Sequence, residues 1–451
     1  MNLSLKISMR HVATHLPFGI HYGWVVVSLL VVVQVLGASI GMAAGVIVAP
    51  LSDTEGGFGW SISLISTALM VYYFVGAAFS PISGWLGDRY GPRLMMISGG
   101  LLYASSMILM GIMTHAWHFF LTFGVMLSIT QSISMVPLIA AVSLWFRKRL
   151  GLAIGLLWGA GGIGTAVMSP LIATLIEAVG WRGTFWTIGL TGGSLLIILT
   201  LIFRNRPADL GLSPYGLSAQ DPKEISLPKN IERLRLKTYN KHIRRTRAFW
   251  NLPVIHSLGC AGHGIILIYS IPLAMQQGIS LVSAAWILSL ISLFSVISRF
   301  VSPILTEEFG GKAIMVLAMF IQGITVLSLF WASDVWMFYM FGIFFGMGFG
   351  GEMSTYLVVN RQYFGHGPIA TTYGFQMMGA LIGHGIAVGI SGLVLYVVDS
   401  YNALLILSMA FSFAGSAIVL LLEPSKQLLI PNWENSLPPE ARTQHLTTEA
   451  H

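Results

Sequence analysis

The stretches GWLGDRYGPR (Gly84–Arg93) and PILTEEFGGK (Pro303–Lys312) each close a long apolar run, and they lie about 219 residues apart. At this offset, residues of similar character align with each other: Asp88 with Glu307, Gly91 with Gly310, Arg93 with Lys312, Trp145 with Phe364 and Gly155 with Gly374. Such a repeat indicates that the two halves of the chain derive from one ancestral unit. The sequence therefore predicts a fold of two equivalent halves.

The composition indicates that both halves lie in a membrane. Only 9% of the 451 residues are charged and 55% are hydrophobic, whereas a soluble domain carries about 25% charged residues. Apolar runs of about 20 residues can span a bilayer as helices, and such runs lie near 21–48, 60–83, 94–113, 117–145, 150–178, 183–203, 250–277, 280–305, 312–331, 335–360, 367–398 and 401–422. We predict an all-α membrane protein with twelve transmembrane helices in two pseudo-symmetric six-helix bundles.

One long polar interval separates the two predicted bundles. The expected organisation is a cytoplasmic N-terminus (1–20), an N-terminal bundle (21–203), a cytoplasmic linker (204–249), a C-terminal bundle (250–422) and a tail (423–451). The basic second part of the linker fits either a surface helix on anionic lipid or a solvated connection. The tail is polar and contains proline, so we expect it to be disordered.

The basic residues predict the orientation of the helices. Lys and Arg gather in cytoplasmic loops, and every Lys and Arg here except Arg182 and Arg299 falls in alternate loops, the linker or the terminal segments, beginning with Lys6 and Arg10. Both termini are therefore expected in the cytoplasm, and the chain in the cell membrane. This topology explains the net charge of +7. We thus expect the basic residues to lie beside the lipid bilayer and not to bind nucleic acid.

Arg299 is the most informative single residue for function. It is the only charged residue in the apolar run between Ile279 and Leu305. A guanidinium at that depth costs at least ~2.5 kcal/mol, so a functional role is the default interpretation. The forked donor geometry of arginine suits a carboxylate. The alternative is that Arg299, about 10 Å from the cytoplasmic loop, extends to lipid phosphate.

Glu352 is the only acid well inside a predicted helix. Tyr356 and Asn360 follow it at spacings of four and share its face. We predict that Glu352 carries a coupled proton, because a buried carboxyl group disfavours its charged form. The alternative is that Glu352 is a structural partner of Arg299 or of a histidine.

Further polar side chains lie within the predicted helices. With Arg299 we predict a substrate-binding set that also includes Gln34, Gln131, His263, Tyr356 and His384. Each histidine could instead be a hydrogen-bonded packing residue. His256, His263 and Glu352 lack a compact spacing such as HxxxH, so we predict neither a metal nor a cofactor. The single cysteine, Cys260, excludes an intrachain disulfide.

The loop signature Gly84, Asp88, Arg89, Gly91 and Arg93 resembles that of the major facilitator superfamily at every main position, and the resemblance covers residues 20–422. A narrower resemblance is to the monocarboxylate and oxalate/formate porters. It rests on HYGWVV (His21–Val26), on WFRKRLGLAIGLLWGAGGIG (Trp145–Gly164) and on the late arginine of helix 8. Two positions depart from animal monocarboxylate carriers: helix 1 lacks their lysine, and Ser295 stands where they have an aspartate.

The repeated loop also predicts a gate. A carboxylate at a helix end can accept hydrogen bonds from backbone amides or pair with a basic residue nearby. We expect this cluster to hold the cytoplasmic side shut while the central site faces outward. The predicted gating residues are Asp88, Arg89, Arg93, Glu307 and Lys312. A structural loop without any switching role is the alternative.

Together, the residues and the resemblance predict a secondary transporter of a small organic anion of the monocarboxylate type. We expect proton-coupled uptake by alternating access in a monomer. Anion exchange of the oxalate/formate type and efflux of an amphiphilic compound, in which Glu352 would attract a cation, remain open. A membrane enzyme is not expected, because HExxH and paired intramembrane acids do not occur in the sequence.

Overall fold

The computed structural model describes residues 20–52, 57–217, 228–365, 367, 369–398 and 400–442. Regular structure in these residues is helical, apart from one isolated bridge between Phe146 and Tyr215. The N-terminal segment predicted for residues 1–20 lies outside this part of the chain, except for Ile20.

The first half forms α1 (Tyr22–Ser52), α2 (Ile62–Tyr90), α3 (Pro92–Gly111) and α4 (Ala116–Trp145). Within α4, residues Phe120–Leu127 form a π-helix. A long helix, Leu150–Ile202, follows, and Gly180 with φ of 70° divides it into α5 (150–179) and α6 (181–202). Glycine adopts such a backbone conformation at little cost. The boundary predicted between helices 5 and 6 is therefore a kink without a loop.

The second half repeats this arrangement after a polar connection that contains one helix, Lys229–Ile243, here called the linker helix. Its helices are α7 (Arg247–Gln276), α8 (Leu281–Phe309), α9 (Gly311–Val326, extended by a 3-10 turn at Leu327–Phe330), α10 (Val335–Phe364), α11 (Ala370–Val398) and α12 (Tyr401–Leu420). Below, the linker end denotes the helix ends nearest to the linker helix.

The helices have the length and composition of membrane spans. Within the described residues, nine helical stretches are long and apolar enough to cross a bilayer, and Tyr22–Leu36 and Leu150–Gly164 are shorter apolar pieces. At 1.5 Å per residue, about 20 residues cover the ~30 Å hydrocarbon core. The predicted all-α membrane fold of two six-helix bundles is confirmed.

The sequence repeat is also a structural repeat. Ser61 caps the start of α2 through its side chain, and Ser280 caps the start of α8 in the same way. Gly91 with φ of 88° ends α2, and its counterpart Gly310 with φ of 95° ends α8. Equivalent residues thus begin and end equivalent helices.

Two glycines bring the halves into close contact. A Cβ at Gly155 of α5 would lie 2.5 Å from the carbonyl oxygen of Phe300 on α8, and one at Gly374 of α11 would collide with the carbonyl oxygen of Ser80 on α2. Both contacts join one half to the other, and Gly155 and Gly374 are repeat partners. The backbones can approach this closely because glycine has no side chain.

The apolar core is continuous between the halves at the linker end. One cluster of buried residues includes Val142 and Trp145 of α4 together with Val359 and Tyr363 of α10. A second cluster, which includes Phe338 and Phe345, lies within the second half. The continuous core indicates that the halves are packed together at the linker end in this structure.

Residues 423–442 of the tail contain regular turns, whereas disorder was predicted for them. Two 3-10 turns, Trp433–Ser436 and Pro439–Ala441, lie against the linker helix. The Trp433 ring lies 5.0 Å from that of Tyr239, and Leu437 is buried. A few apolar residues order a segment whose average composition is polar, which explains why composition gave the wrong prediction. Residues 443–451 lie outside the described part of the chain.

Gly374→Ala should destabilise the packed halves. The added methyl group would meet the carbonyl oxygen of Ser80, and forced overpacking typically costs about 1–3 kcal/mol. We expect a lower unfolding temperature of the purified protein in detergent. Gly392→Ala on the same helix is the matched control, since a Cβ there meets nothing within 4 Å. Equal unfolding temperatures for the two variants would contradict this account of the interface.

Candidate functional site

Arg299 lies where α8 passes α5 of the other half. Its guanidinium carbon is 4.9 Å from the centre of the Phe349 ring on α10. Gly162 of α5 is near its other side, since a Cβ there would lie 3.9 Å from Nη1 of Arg299. The buried Nε has no hydrogen-bond partner, and no carboxylate of the described residues lies within ion-pair distance of the guanidinium. Arg299 is partly exposed, and these contacts place its guanidinium beside α5 and α10.

Glu352 is fully buried on α10. Tyr356, one turn further along, donates a hydrogen bond from its hydroxyl to Oε1 of Glu352. His263 of α7 faces the other oxygen, with Nδ1 3.8 Å from Oε2. The carboxylate also interacts electrostatically with Arg299 across α8 and α10. Glu352, Tyr356 and His263, three of the predicted site residues, thus form one cluster.

His384 on α11 connects this cluster to the first half. Its ring stacks on Tyr73 of α2, with 5.3 Å between the ring centroids and an interplanar angle of 17°. The ring of His263 is also 5.3 Å away. Nδ1 of His384 lies 3.0 Å from the carbonyl oxygen of Ala380, one turn earlier in the helix. His384 is therefore both a site neighbour and a contact between the halves.

Cys260 belongs to this region although the sequence analysis did not predict it as a site residue. Its Sγ and one nitrogen each of His263 and His384 lie within 4.8 Å of one another. The spacing of three from Cys260 to His263 on one helix was the available signal. Thiolate and imidazole groups can bind zinc. Here Sγ lies 3.9 Å from Sδ of Met353 and His263 faces Glu352, so we interpret the trio as part of the packed polar cluster.

The two predicted glutamines differ in their surroundings. Gln34 on α1 is buried, and its Nε2 would lie 3.6 Å from a Cβ at Gly161. Since Gly161 precedes Gly162, Gln34 and Arg299 lie beside the same short stretch of α5. Gln131 on α4 has a buried Oε1 without a hydrogen-bond partner in the described structure. No observed contact joins Gln131 to the other site residues.

Two carboxylates cap helices of the opposite half at the linker end. Asp88 at the end of α2 accepts the backbone N–H groups of Ala370 (3.2 Å) and Thr371 (2.8 Å) and the Thr371 hydroxyl (2.6 Å) at the start of α11. Glu307 of α8 accepts the backbone N–H of Gly151 (2.8 Å) at the start of α5. The first amides of a helix lack intrahelical partners and carry partial positive charge. Asp88 and Glu307 thus make equivalent contacts, which we call the paired caps.

The basic residues of the predicted gate make contacts within their own halves. Arg89 is exposed, with its guanidinium carbon 5.0 Å from the centre of the Trp85 ring. The backbone N–H of Arg93 donates to Oδ1 of Asn205 at 2.9 Å, and Nζ of Lys312 donates to the carbonyl oxygen of Leu422 at 2.8 Å. The contacts of the two acids, in comparison, cross the interface between the halves.

Arg361 makes a contact between the halves that the sequence analysis missed. From the end of α10, its guanidinium donates to the carbonyl oxygens of Gly365 (2.7 Å) and Gly367 (2.6 Å) and to the hydroxyl of Ser143 on α4. In the sequence, Arg361 counts only as one of the loop charges. Its repeat partner is the apolar Val142, so the alignment of the halves gave no signal.

Comparison with known proteins identifies the family. The sequence model of the Major Facilitator Superfamily matches residues 27–388, and a second match covers residues 284–437. The chain belongs to this superfamily. The resemblance inferred from the loop signature is confirmed, and this Major Facilitator Superfamily protein is a multi-pass membrane transporter.

Relatives of this superfamily member include transporters named for monocarboxylates. Monocarboxylate transporter 13 of Bos taurus is 24% identical over 374 residues, which cover 82% of this chain and 81% of the relative. Monocarboxylate transporter 12 of Homo sapiens is 22% identical over 364 residues, which cover 76% and 69%. Monocarboxylate transporter 2 of Homo sapiens is 24% identical over 306 residues, which cover 65% and 63%.

Asp88→Asn should weaken one of the paired caps, because the amide lacks the charge that favours a helix N-terminus. We expect the linker end to open more often while the central residues stay in place. In a Cys260→Ser background, a thiol introduced at buried Ala77 of α2 should react faster with a water-soluble maleimide. Glu308→Gln is the control, since Glu308 is an exposed acid next to Glu307. An unchanged rate in Asp88→Asn would contradict a role for this cap.

Proposed function

We propose that this transporter moves a small monocarboxylate into the cell together with a proton. The linker end would face the cytoplasm, with both termini on that side of the cell membrane. Arg299 would bind the carboxylate and Glu352 would carry the proton. The names of the relatives support this substrate class, and the geometry around Arg299 supports the assignment of roles.

The observation that carries the proposal is the environment of Arg299. Its guanidinium lies at the interface of the halves, between Phe349 and the Gly162 region, with a free Nε and no carboxylate of the described residues within ion-pair distance. Arg299 is only partly exposed, and a charge that is largely removed from water without an ion-pair partner is costly. A carboxylate substrate would remove that cost by accepting two parallel hydrogen bonds from the guanidinium.

A monocarboxylate fits this environment better than a dianion does. A second negative charge would need a second cation, and His263 or His384 would have to supply it. Both histidines already make contacts within the protein, since His263 is fully buried and faces Glu352, and His384 stacks on Tyr73. Both rings are therefore less available to pair with a second carboxylate of the substrate. The Phe349 ring covers one side of the arginine and offers an apolar surface to the rest of the substrate. Gln34, beside the same part of α5, is a candidate for a further hydrogen bond.

The different surroundings of its two oxygens support Glu352 as the proton carrier. Oε1 accepts from Tyr356, whereas Oε2 has no hydrogen-bond partner and faces His263. A proton on Oε2 would neutralise a carboxylate that is fully buried. The charge of Glu352 also acts on Arg299. Protonation of the acid therefore strengthens the net positive field at the arginine, which favours binding of an anion.

The paired caps would couple this site to alternating access. Asp88 and Glu307 bond to the opposite half at the linker end, which supports a form that is closed there and would load from outside. Opening to the cytoplasm would require both caps to release the starts of α11 and α5. The proposed cycle therefore joins substrate and proton binding to one rearrangement at the linker end.

Arg299→Lys should abolish uptake, because an ammonium keeps the charge but loses the forked contact with the carboxylate. The assay is uptake of a panel of labelled monocarboxylates into proteoliposomes with an inward proton gradient. A loss of at least about tenfold is expected, as for removal of a charge-assisted hydrogen bond. Arg233→Lys, at an exposed position of the linker helix, should retain uptake. Normal uptake by Arg299→Lys would remove Arg299 from the site.

Glu352→Gln, which imitates the protonated acid, should lose accumulation driven by a proton gradient. It should still exchange labelled for unlabelled substrate between equally loaded compartments, because Arg299 is intact. The exposed Glu177→Gln is the matched control for both assays. If Glu352→Gln still concentrates substrate against a gradient, the proton does not use Glu352. If the wild type itself shows exchange without proton-driven accumulation, the carrier is an anion exchanger of the oxalate/formate type.

A further inference from the structure

The linker helix is attached to both halves of the transporter. Glu232 near its start forms an ion pair of 2.7 Å with Arg206, which follows α6 of the first half. Tyr239, two turns later, donates from its hydroxyl to the carbonyl oxygen of Phe364 at 2.8 Å, at the end of α10 in the second half. The linker helix therefore bridges the interface that must separate when the linker end opens.

The same helix lies beside the gate itself. Asn240 is 3.5 Å from the hydroxyl of Thr371, which is also a donor to Asp88. The Tyr239 ring occupies the space next to Gly367, where a side chain would collide with it. Burial raises the pKa of the Tyr239 hydroxyl, so this group stays protonated as a donor. The bridge and the Asp88 cap are thus in contact through one threonine.

The C-terminal tail fastens the linker helix through Arg235. The guanidinium forms an ion pair with Glu434, donates to the carbonyl oxygen of Ala441 and lies 5.1 Å from the centre of the Trp433 ring. Trp433 also packs against Tyr239. One turn after Tyr239, Nε2 of His242 lies 3.2 Å from the hydroxyl of Ser436. The tail thus contacts the side of the helix that carries the bridging tyrosine.

We propose that the linker helix and residues 432–442 form a clasp that locks the linker end closed, and that detachment of the tail is a control point for transport. While the tail is bound, the linker helix is held against both halves at once. Without the tail, the helix loses the contacts of Arg235 and the packing of Trp433 on Tyr239. The bridge between Arg206 and Phe364 then becomes easier to break.

The clasp is reachable from the aqueous phase. The side chains of Arg235 and Glu434 are 17% and 28% exposed, unlike the buried contacts of the central site. A partly exposed ion pair responds to salt and to competing charges. The clasp would act on the balance between closed and open forms of the unloaded protein, whichever substrate is carried.

The test is a distance measurement that needs no substrate. Spin labels are attached at Tyr90→Cys and Phe309→Cys in a Cys260→Ser background. These exposed positions are repeat partners at the ends of α2 and α8, so their separation reports opening at the linker end. In lipid nanodiscs, Arg235→Ala and Trp433→Ala should each raise the ratio of long to short distances by roughly fivefold to tenfold.

Arg233→Ala is the matched control, because Arg233 is an exposed arginine on the same helix. It should leave the distance distribution unchanged. A chain that ends after Pro431 removes the whole tail part of the clasp, and it should shift the ratio at least as far as Arg235→Ala. Adding Arg235→Ala to that shortened chain should cause little further change, since the two alterations remove the same contacts.

The outcomes are distinct. A shift in Arg235→Ala, Trp433→Ala and the shortened chain, with none in Arg233→Ala, supports the clasp. Distances like the wild type in all three, or an equal shift in the control, overturn it. Each variant is first shown to be monodisperse by size-exclusion chromatography, and the shortened chain decides the question if a point variant fails to fold. A wrong assignment of the substrate would leave all these results unchanged.

Discussion

The closed arrangement depends on the attraction between a carboxylate and the positive end of a helix in the opposite half. Helix starts present amides that the helix itself cannot satisfy, and in a membrane protein little water is available to replace a missing partner. Asp88 and Glu307 meet this need at α11 and α5. Gly374 and Gly155 let the same pairs of helices approach closely. Electrostatics and close backbone packing therefore act at the same places, twice, in positions related by the repeat.

The central site follows from this closed interface. With the halves packed at the linker end, Arg299 reaches α5 and the Phe349 ring, while the acid of α10 lies behind it with Tyr356 and His263. No carboxylate of the described residues lies within ion-pair distance of the arginine, whereas the acid accepts a hydrogen bond from Tyr356 and faces His263. The two opposite charges of the cluster therefore have different surroundings, which is the basis of the separate roles proposed for them.

Much of this arrangement could be predicted from the sequence, because the bilayer restricts what a chain can do. Hydropathy gave the helices, and the offset between Asp88 and Glu307 gave the equivalent halves. A lone charge such as Arg299 in an apolar run is conspicuous for the same reason. The misses have a common physical cause. Arg361, through Ser143, and the tail around Trp433 act through contacts distant in the chain, and neither periodicity nor composition records such contacts. Cys260 lies beside His384 of another helix, and its spacing from His263 was the one local signal. The connection at Gly180 could not be predicted either, because a kink within a helix and a loop between two helices have the same sequence signature.

The contact between Glu307 and Gly151 has a consequence for the genetics of this transporter. Glu307 binds a backbone amide, and every residue except proline has one, so the partner position cannot supply a compensating charge. Gly151 is further constrained because a side chain there would collide with Pro303. Suppressors of a defect at Glu307 should therefore arise elsewhere in the interface. Covariation between sequence positions, which reveals ordinary ion pairs, would therefore not detect the contact between Glu307 and Gly151.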